Sequence, residues 1–142
     1  MHEFGVEKPN LDRYKQRPTV FGLVVDGPKI ACVAVKDNYR CYFDLPGGGL
    51  REGETEAAAL IREFKEETGL LVEPKVRLSE AGQYFTRSDR ETLVYSYGGL
   101  WTAKVIGTTA REEADHRLCW LTPSEAIVGL RQESHAWFVS RW

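Results

Sequence analysis

A glycine-dense loop that runs straight into a helix is the feature that most restricts how this chain can fold. In PGGGLREGE, Pro46 to Glu54, one proline and four glycines predict a loop with no regular element. Beyond it the apolar residues Ala57, Leu60, Ile61 and Phe64 recur at offsets of three and four, the stripe of an amphipathic helix. Thr55 offers an N-cap hydroxyl and Gly69 a C-cap glycine, so the spacing predicts a helix over 55–68. Each step rotates roughly 100°, which places Glu63, Glu66 and Glu67 together on a flank centred roughly 115° from the stripe.

That flank breaks two local rules. Like charges at i and i+4 repel, each pair costing a few tenths of a kcal/mol. Glu66 and Glu67 also stand near the helix C-terminus, where the macrodipole disfavours negative charge. Six of the 21 acids fall between Glu52 and Glu67, a span of 16 residues, so the crowding is local. An acid-rich face is often plain solvated surface, with Arg62 and Lys65 as partners here. A chain that breaks its own local rules more often does so at a functional site. A divalent cation relieves the repulsion, since carboxylate oxygens are the ligands that hard Mg²⁺ or Mn²⁺ prefers. Gly47, Gly48 and Gly49 allow backbone to approach a ligand closely. Metal, carboxylates and a glycine loop together suggest water attack at phosphorus.

The rest of the chain reads as strands around this unit. Residues 1–17 read as an irregular N-terminal arm and 18–142 as a single domain. Thr19 to Val25 and Lys29 to Lys36 read as a strand pair joined by the Asp26-Gly27-Pro28 turn, with Asp37-Asn38 as a second turn. Cys41 to Leu45 is a short strand. Leu70 to Leu78, interrupted at Pro74, and Ala81 to Phe85 are further strands, followed by a polar turn at Thr86 to Arg90. Thr92 to Val105 is a long strand broken at Gly98-Gly99. Gly107 to Asp115 is an acidic loop and Arg117 to Leu121 a strand. Thr122-Pro123 opens a short helix ending at Gly129, and Glu133 to Trp142 forms another. Strands before and after one long helix indicate an α/β (α+β) chain, a mixed sheet with helices packed on it.

Composition narrows the partners. Nineteen basic against 21 acidic residues give a net charge of −2, so a long nucleic-acid partner is not expected. No apolar run approaches the ~20 residues that cross a bilayer. The three cysteines, Cys32, Cys41 and Cys119, lack C-x-x-C spacing and sit in apolar contexts, which fits buried thiols in a reducing compartment. The N-terminal residues carry no signal-peptide pattern, and a cytoplasmic location is the expectation.

Gly48, Glu54 and the run Arg62-Glu63-Phe64-Lys65-Glu66-Glu67-Thr68-Gly69-Leu70 are recognisable as a pattern. They resemble the Nudix box, G-x5-E-x7-R-E-U-x-E-E-x-G-U, where U is a bulky aliphatic residue. Every fixed position matches over 23 residues, and Phe64 at the first U keeps the apolar character. The resemblance implies the Nudix fold, a mixed β-sheet sandwiched between α-helices. It also implies hydrolysis of a nucleoside diphosphate linked to another moiety, with Mg²⁺ or Mn²⁺ as cofactor. Carried over by position, Glu63, Glu66 and Glu67 would bind the metal and Gly47 would offer it a carbonyl. Glu54 and Arg62 would form the salt bridge that ties loop to helix. Glu63 is the first candidate for the catalytic base and Glu113, in the acidic loop, the second.

Substrate choice lies outside the box. The proline that ADP-ribose hydrolases of the family tend to carry past it is absent, and Tyr84 falls short of the spacing of the dinucleoside polyphosphate hydrolases. The small size resembles the MutT-like enzymes, so the expected substrate is a (deoxy)nucleoside triphosphate, cleaved to the monophosphate and pyrophosphate. Dinucleoside polyphosphates, ADP-ribose and RNA 5′ ends are the alternatives, as is a Nudix module that binds a nucleotide without cleaving it. Tyr84 and Phe85 are candidates to stack on a base and Arg87 to meet a phosphate. The assembly expected is a monomer or homodimer.

Overall fold

The computed structural model describes residues 1–5, 13–36, 41–87 and 91–142. In chain order its elements are β1 (His2–Phe4), β2 (Lys15–Leu23), β3 (Val25–Asp26), β4 (Lys29–Lys36), β5 (Cys41–Asp44), β6 (Gly47–Gly49), α1 (Glu56–Thr68), β7 (Leu70–Thr86), β8 (Leu93–Thr108), β9 (His116–Leu121), α2 (Pro123–Gly129) and α3 (Glu133–Arg141). The Asp37-Asn38 turn, the end of the turn at Thr86 to Arg90 and residues 6–12 of the N-terminal arm lie outside the described residues.

The caps of α1 are those the residues predict. The Thr55 hydroxyl accepts from the Ala58 N–H at 3.1 Å, and Gly69 sits at φ 75°, a left-handed backbone that a side chain resists. Helix α2 begins at a capping box in which Thr122 and Glu125 exchange side-chain and backbone hydrogen bonds.

Two sheets carry the fold. The first has five strands in the order β1-β7-β8-β2-β6 and is mixed: β1/β7 and β2/β8 run parallel, β7/β8 and β2/β6 antiparallel. The second is antiparallel and built on β4, which pairs with β3, β5 and β9. Because successive strand residues point to opposite faces, each strand feeds two cores. Val20, Val24 and Ala31 pack with Ala59, Leu60 and Phe64 of α1. Their neighbours Phe21 and Cys32 pack with Ala126, Leu130, Phe138 and Val139 around α2 and α3. The strands are thus sandwiched between α1 and the two C-terminal helices. Helix α1 lies close: a Cβ at Gly22 would stand 2.7 Å from the Phe64 ring.

Four local expectations are corrected. The glycine run is not wholly irregular, because Gly47–Gly49 pairs with Thr19–Phe21 as a short edge strand. The first two strands do not form one hairpin. Only Val25 and Asp26 pair with β4, while β2 turns into the other sheet beside β8. Pro74 does not break its strand, since a register shift at Pro74/Val76 takes up the irregularity, and Gly98 and Gly99 keep regular partners in Ala81 and Glu80. The N-terminal arm is not irregular throughout, as His2–Phe4 pairs in parallel with Ala81–Gln83.

Candidate active site

Arg62 is the hub that joins the loop to the helix. Its Nε and Nη2 donate to the two oxygens of Glu54, each at 2.8 Å, a bidentate pair. Nη2 also donates to the Gly49 carbonyl at 2.9 Å, and Nη1 to Glu63 Oε1 at 3.0 Å and Glu66 Oε2 at 3.4 Å. Hydrogen bonding from Arg62 holds the Glu54 carboxyl down at about 2, and the same bonds push the Arg62 guanidinium up. One side chain therefore fixes the glycine loop and two of the flank carboxylates together.

The glycines act through closeness. A Cβ at Gly48 would meet the Glu63 carboxyl at 2.8 Å, so only glycine lets the strand pass that side chain. The Gly47 N–H donates to Glu67 Oε1 at 2.9 Å. Glu67 is buried and its carboxyl is pushed well above the usual range, first by burial and then by Glu63, Glu113 and Asp44, against the pull of the Gly47 N–H. Glu63 is raised as well, by burial first, with Arg62 opposing and Glu66 and Glu113 adding repulsion.

The fourth carboxylate arrives from the acidic loop. The N–H groups of Glu112 and Glu113 both donate to the Glu66 carbonyl, at 3.1 and 3.0 Å, and so satisfy an orphan acceptor of the last helical turn. That clamp brings one oxygen each of Glu63, Glu66 and Glu113 within 4.8 Å of one another. A second grouping joins Glu67, Glu113 and His116 within the same distance. Burial is the main cause of the raised carboxyls, and repulsion among the neighbouring acids adds to it. The all-oxygen set of Glu63, Glu66 and Glu113 fits Mg²⁺ or Mn²⁺.

Beside the carboxylates lies a cavity of about 310 Å³. Arg17, Arg87 and Arg131 line it together with Phe21, Phe85 and the glycine loop. Arg17 has no ion-pair partner among the described residues and lies 3.2 Å from where a Gly49 Cβ would stand. Burial first, and then Arg87, lower the pKa of its guanidinium, while Glu63, Glu67 and Asp44 pull it the other way. Arg131 donates to Asp44 Oδ2 at 3.2 Å and stacks 3.9 Å over the Tyr42 ring. Burial raises the Asp44 carboxyl to about 6 despite Arg131. Asp44 Oδ1 and Gln132 Oε1 are buried acceptors without a hydrogen-bond donor among the described residues. Behind them His135 accepts from the Leu45 N–H at 3.1 Å through Nδ1, and burial lowers it to about 3.

The residues expected from sequence divide accordingly. Glu63, Glu66 and Glu113 come together, Glu67 joins Glu113 in a second grouping with His116, and Arg62 ties Glu54 to Glu63 and Glu66. Gly47 reaches the site through its N–H to Glu67. Phe85 and Arg87 line the cavity. Tyr84 points to the opposite face, where its ring meets Tyr14 edge-on and Tyr95 at a tilt and its hydroxyl donates to Glu3 at 3.2 Å. Sequence reasoning missed Asp44, Arg131 and Gln132, and read His116 as an ordinary loop histidine or a hydrogen-bond partner of a substrate phosphate rather than a neighbour of Glu67. Asp44 left one weak signal, an acid at the end of an apolar strand directly before the glycine loop. Gln132 left none.

The NUDIX domain family model matches residues 15–141. The chain is 35% identical over 107 residues to an ADP-ribose pyrophosphatase of Methanocaldococcus jannaschii, a match covering 72% of this chain and 61% of that protein. It is 34% identical over 83 residues to a Mycobacterium tuberculosis protein provisionally named 8-oxo-dGTP diphosphatase 2, covering 58% of this chain and 55% of that one. The chain thus spans less than two thirds of the length of these curated relatives. A NUDIX hydrolase of Nitrosomonas europaea shares the fold, with a TM-score of 0.72 at 19% identity over 89% of each chain. Since the family match runs from Lys15 to Arg141 and takes in every residue of the site, this chain belongs to the NUDIX domain family.

Proposed function

We propose that this chain is a divalent-metal-dependent pyrophosphohydrolase acting on a nucleoside diphosphate linked to another moiety. The observation that carries the reading is the convergence of Glu63, Glu66 and Glu113 within 4.8 Å at the edge of an arginine-lined cavity. Bound Mg²⁺ or Mn²⁺ would supply charge neutralisation at the phosphoryl oxygens and leaving group. Glu66, Glu67 and Glu63 would hold it, with Glu113 closing the set. Arg17 and Arg87 would orient the polyphosphate from the far side of the cavity. A carboxylate oxygen of Glu63 would take the proton of the attacking water. Glu113, the second candidate, stands at the exposed end of the cluster.

The substrate favoured is a (deoxy)nucleoside triphosphate, giving the monophosphate and pyrophosphate. Phe21 and Phe85 provide apolar wall for a base. The unpaired acceptors Asp44 Oδ1 and Gln132 Oε1 suit a base edge that presents N–H donors. The Mycobacterium tuberculosis relative, named for a triphosphate, agrees with this reading. ADP-ribose is the second reading, favoured by the 35% identity to the Methanocaldococcus jannaschii protein. The purified chain, incubated with Mg²⁺ and a panel of nucleoside triphosphates, oxidised nucleotides, ADP-ribose and dinucleoside polyphosphates, tests both. Cleavage of a triphosphate to monophosphate and pyrophosphate supports the first. Preferred cleavage of ADP-ribose to AMP and ribose phosphate replaces it with the second. Tight nucleotide binding without cleavage of any compound would make the chain a binding module and overturn both.

A further inference from the structure

His116 opens β9 and faces the carboxylates. Its Nδ1 lies 2.9 Å from Asp115 Oδ1 and 3.0 Å from Glu113 Oε2, while its Nε2 lies 3.2 Å from Glu67 Oε2. Two carboxylates on Nδ1 favour a proton on that nitrogen, which leaves Nε2 as the nitrogen that can share either a proton or a metal ion with Glu67. Two electron pairs facing at that distance call for a proton or a cation between them. Glu67 cannot readily turn away. Its side chain is only 8% exposed, and its other oxygen accepts the Gly47 N–H. One ligand atom each of Glu67, Glu113 and His116 already lies within 4.8 Å of the others. Carboxylate on one imidazole nitrogen and metal on the other is the arrangement that fixes a ligating histidine in its tautomer.

We propose that His116 Nε2 is a nitrogen ligand to a divalent cation shared with Glu67 and Glu113, and that it biases this position from Mg²⁺ toward a first-row transition ion such as Mn²⁺. Mg²⁺ is hard and keeps oxygen ligands and water, whereas imidazole adds affinity for the transition ions. Asp115 is then a positioning residue that orients the ring. The inference rests on the metal reading above and deepens it, by giving one position of the cluster a nitrogen ligand.

The full chain titrated with Mn²⁺ alone and with Mg²⁺ alone, without nucleotide, tests it. Mn²⁺ electron paramagnetic resonance gives the affinity, competition gives that of Mg²⁺, and pulsed measurements detect ¹⁴N bound to manganese. The wild type is expected to show ¹⁴N coupling. His116→Gln, confirmed as folded by circular dichroism, is expected to lose the coupling and to lower the Mn²⁺-over-Mg²⁺ affinity ratio by about tenfold or more. Should that variant fail to fold, the wild-type coupling decides alone. Mn²⁺ bound to the wild type without ¹⁴N coupling, or an unchanged ratio in the variant, overturns the ligand assignment and leaves the carboxylate reading standing. Failure of the wild type to bind either ion would instead overturn both.

Discussion

At Asp44 the protonation state of one side chain bears on stability. Burial raises its carboxyl to about 6 in the folded chain, against 3.8 when unfolded. A raised carboxyl contributes stability below the unfolded value and loses it as pH rises through the folded one, so ionised Asp44 weakens the fold above about pH 6. Asp44→Asn should therefore be more stable than wild type at pH 7.5 by about 1–3 kcal/mol, and the advantage should fade toward pH 4. Urea unfolding of both proteins across this range checks it. Glu54 carries the opposite sign. Held down at about 2 by Arg62, it supports the fold above its ordinary 4.5 and loses that support progressively as pH falls from there through about 2. Glu67 combines both concerns, being buried, raised and central to the cluster. Glu67→Gln should cut turnover by at least about 10²-fold while leaving the fold intact. Full activity in this variant would contradict the site.

At the scale of elements, α1 and its caps are the parts most open to reading from sequence. Every determinant is local: the stripe of Ala57, Leu60 and Phe64, the Thr55 hydroxyl and the Gly69 stop lie within one segment. Gly69 carries the most weight. It sits at φ 75°, and a Cβ there would collide with the Thr109 carbonyl, whose own N–H donates to Gly69 O at 2.7 Å. Gly69→Ala should therefore cost about 1–2 kcal/mol for the backbone alone, and more for the collision. It should also loosen the loop that delivers Glu113, lowering metal affinity, which a metal titration on the folded variant would show. The strand pairings are harder to read because they are nonlocal. Nothing near Gly47–Gly49 announces that Thr19–Phe21 will pair with it, and nothing near Val25 announces that the chain changes sheets there. The site follows the same division. Glu63, Glu66 and Glu67 were legible as one helix flank, and Glu54 with Arg62 as its anchor. His116 and Gln132 were not, since the N–H groups of Glu112 and Glu113 on the Glu66 carbonyl, and the seating of α3, are settled only by the fold.

Across the whole molecule, the near balance of charge conceals a strong separation. The carboxylates gather along α1 and the loop before β9, and the arginines Arg17, Arg87 and Arg131 line the adjoining cavity. Two sheets held between α1 and the C-terminal helices set these groups on a rigid frame, with β2 supplying Arg17 and β6 lying against Glu63. On the proposed function the two charge sets would divide the work, one gathering cations and the other the polyphosphate. Among the described residues no helix is long and apolar enough to cross a membrane. The central claim is that this frame cleaves a diphosphate linkage with a divalent ion. ³¹P nuclear magnetic resonance of a nucleoside triphosphate incubated with the chain and Mg²⁺ tests it most directly. The account predicts nucleoside monophosphate and pyrophosphate, formed only with the divalent ion present. Release of inorganic phosphate with a nucleoside diphosphate, or turnover unchanged by chelator, would contradict it.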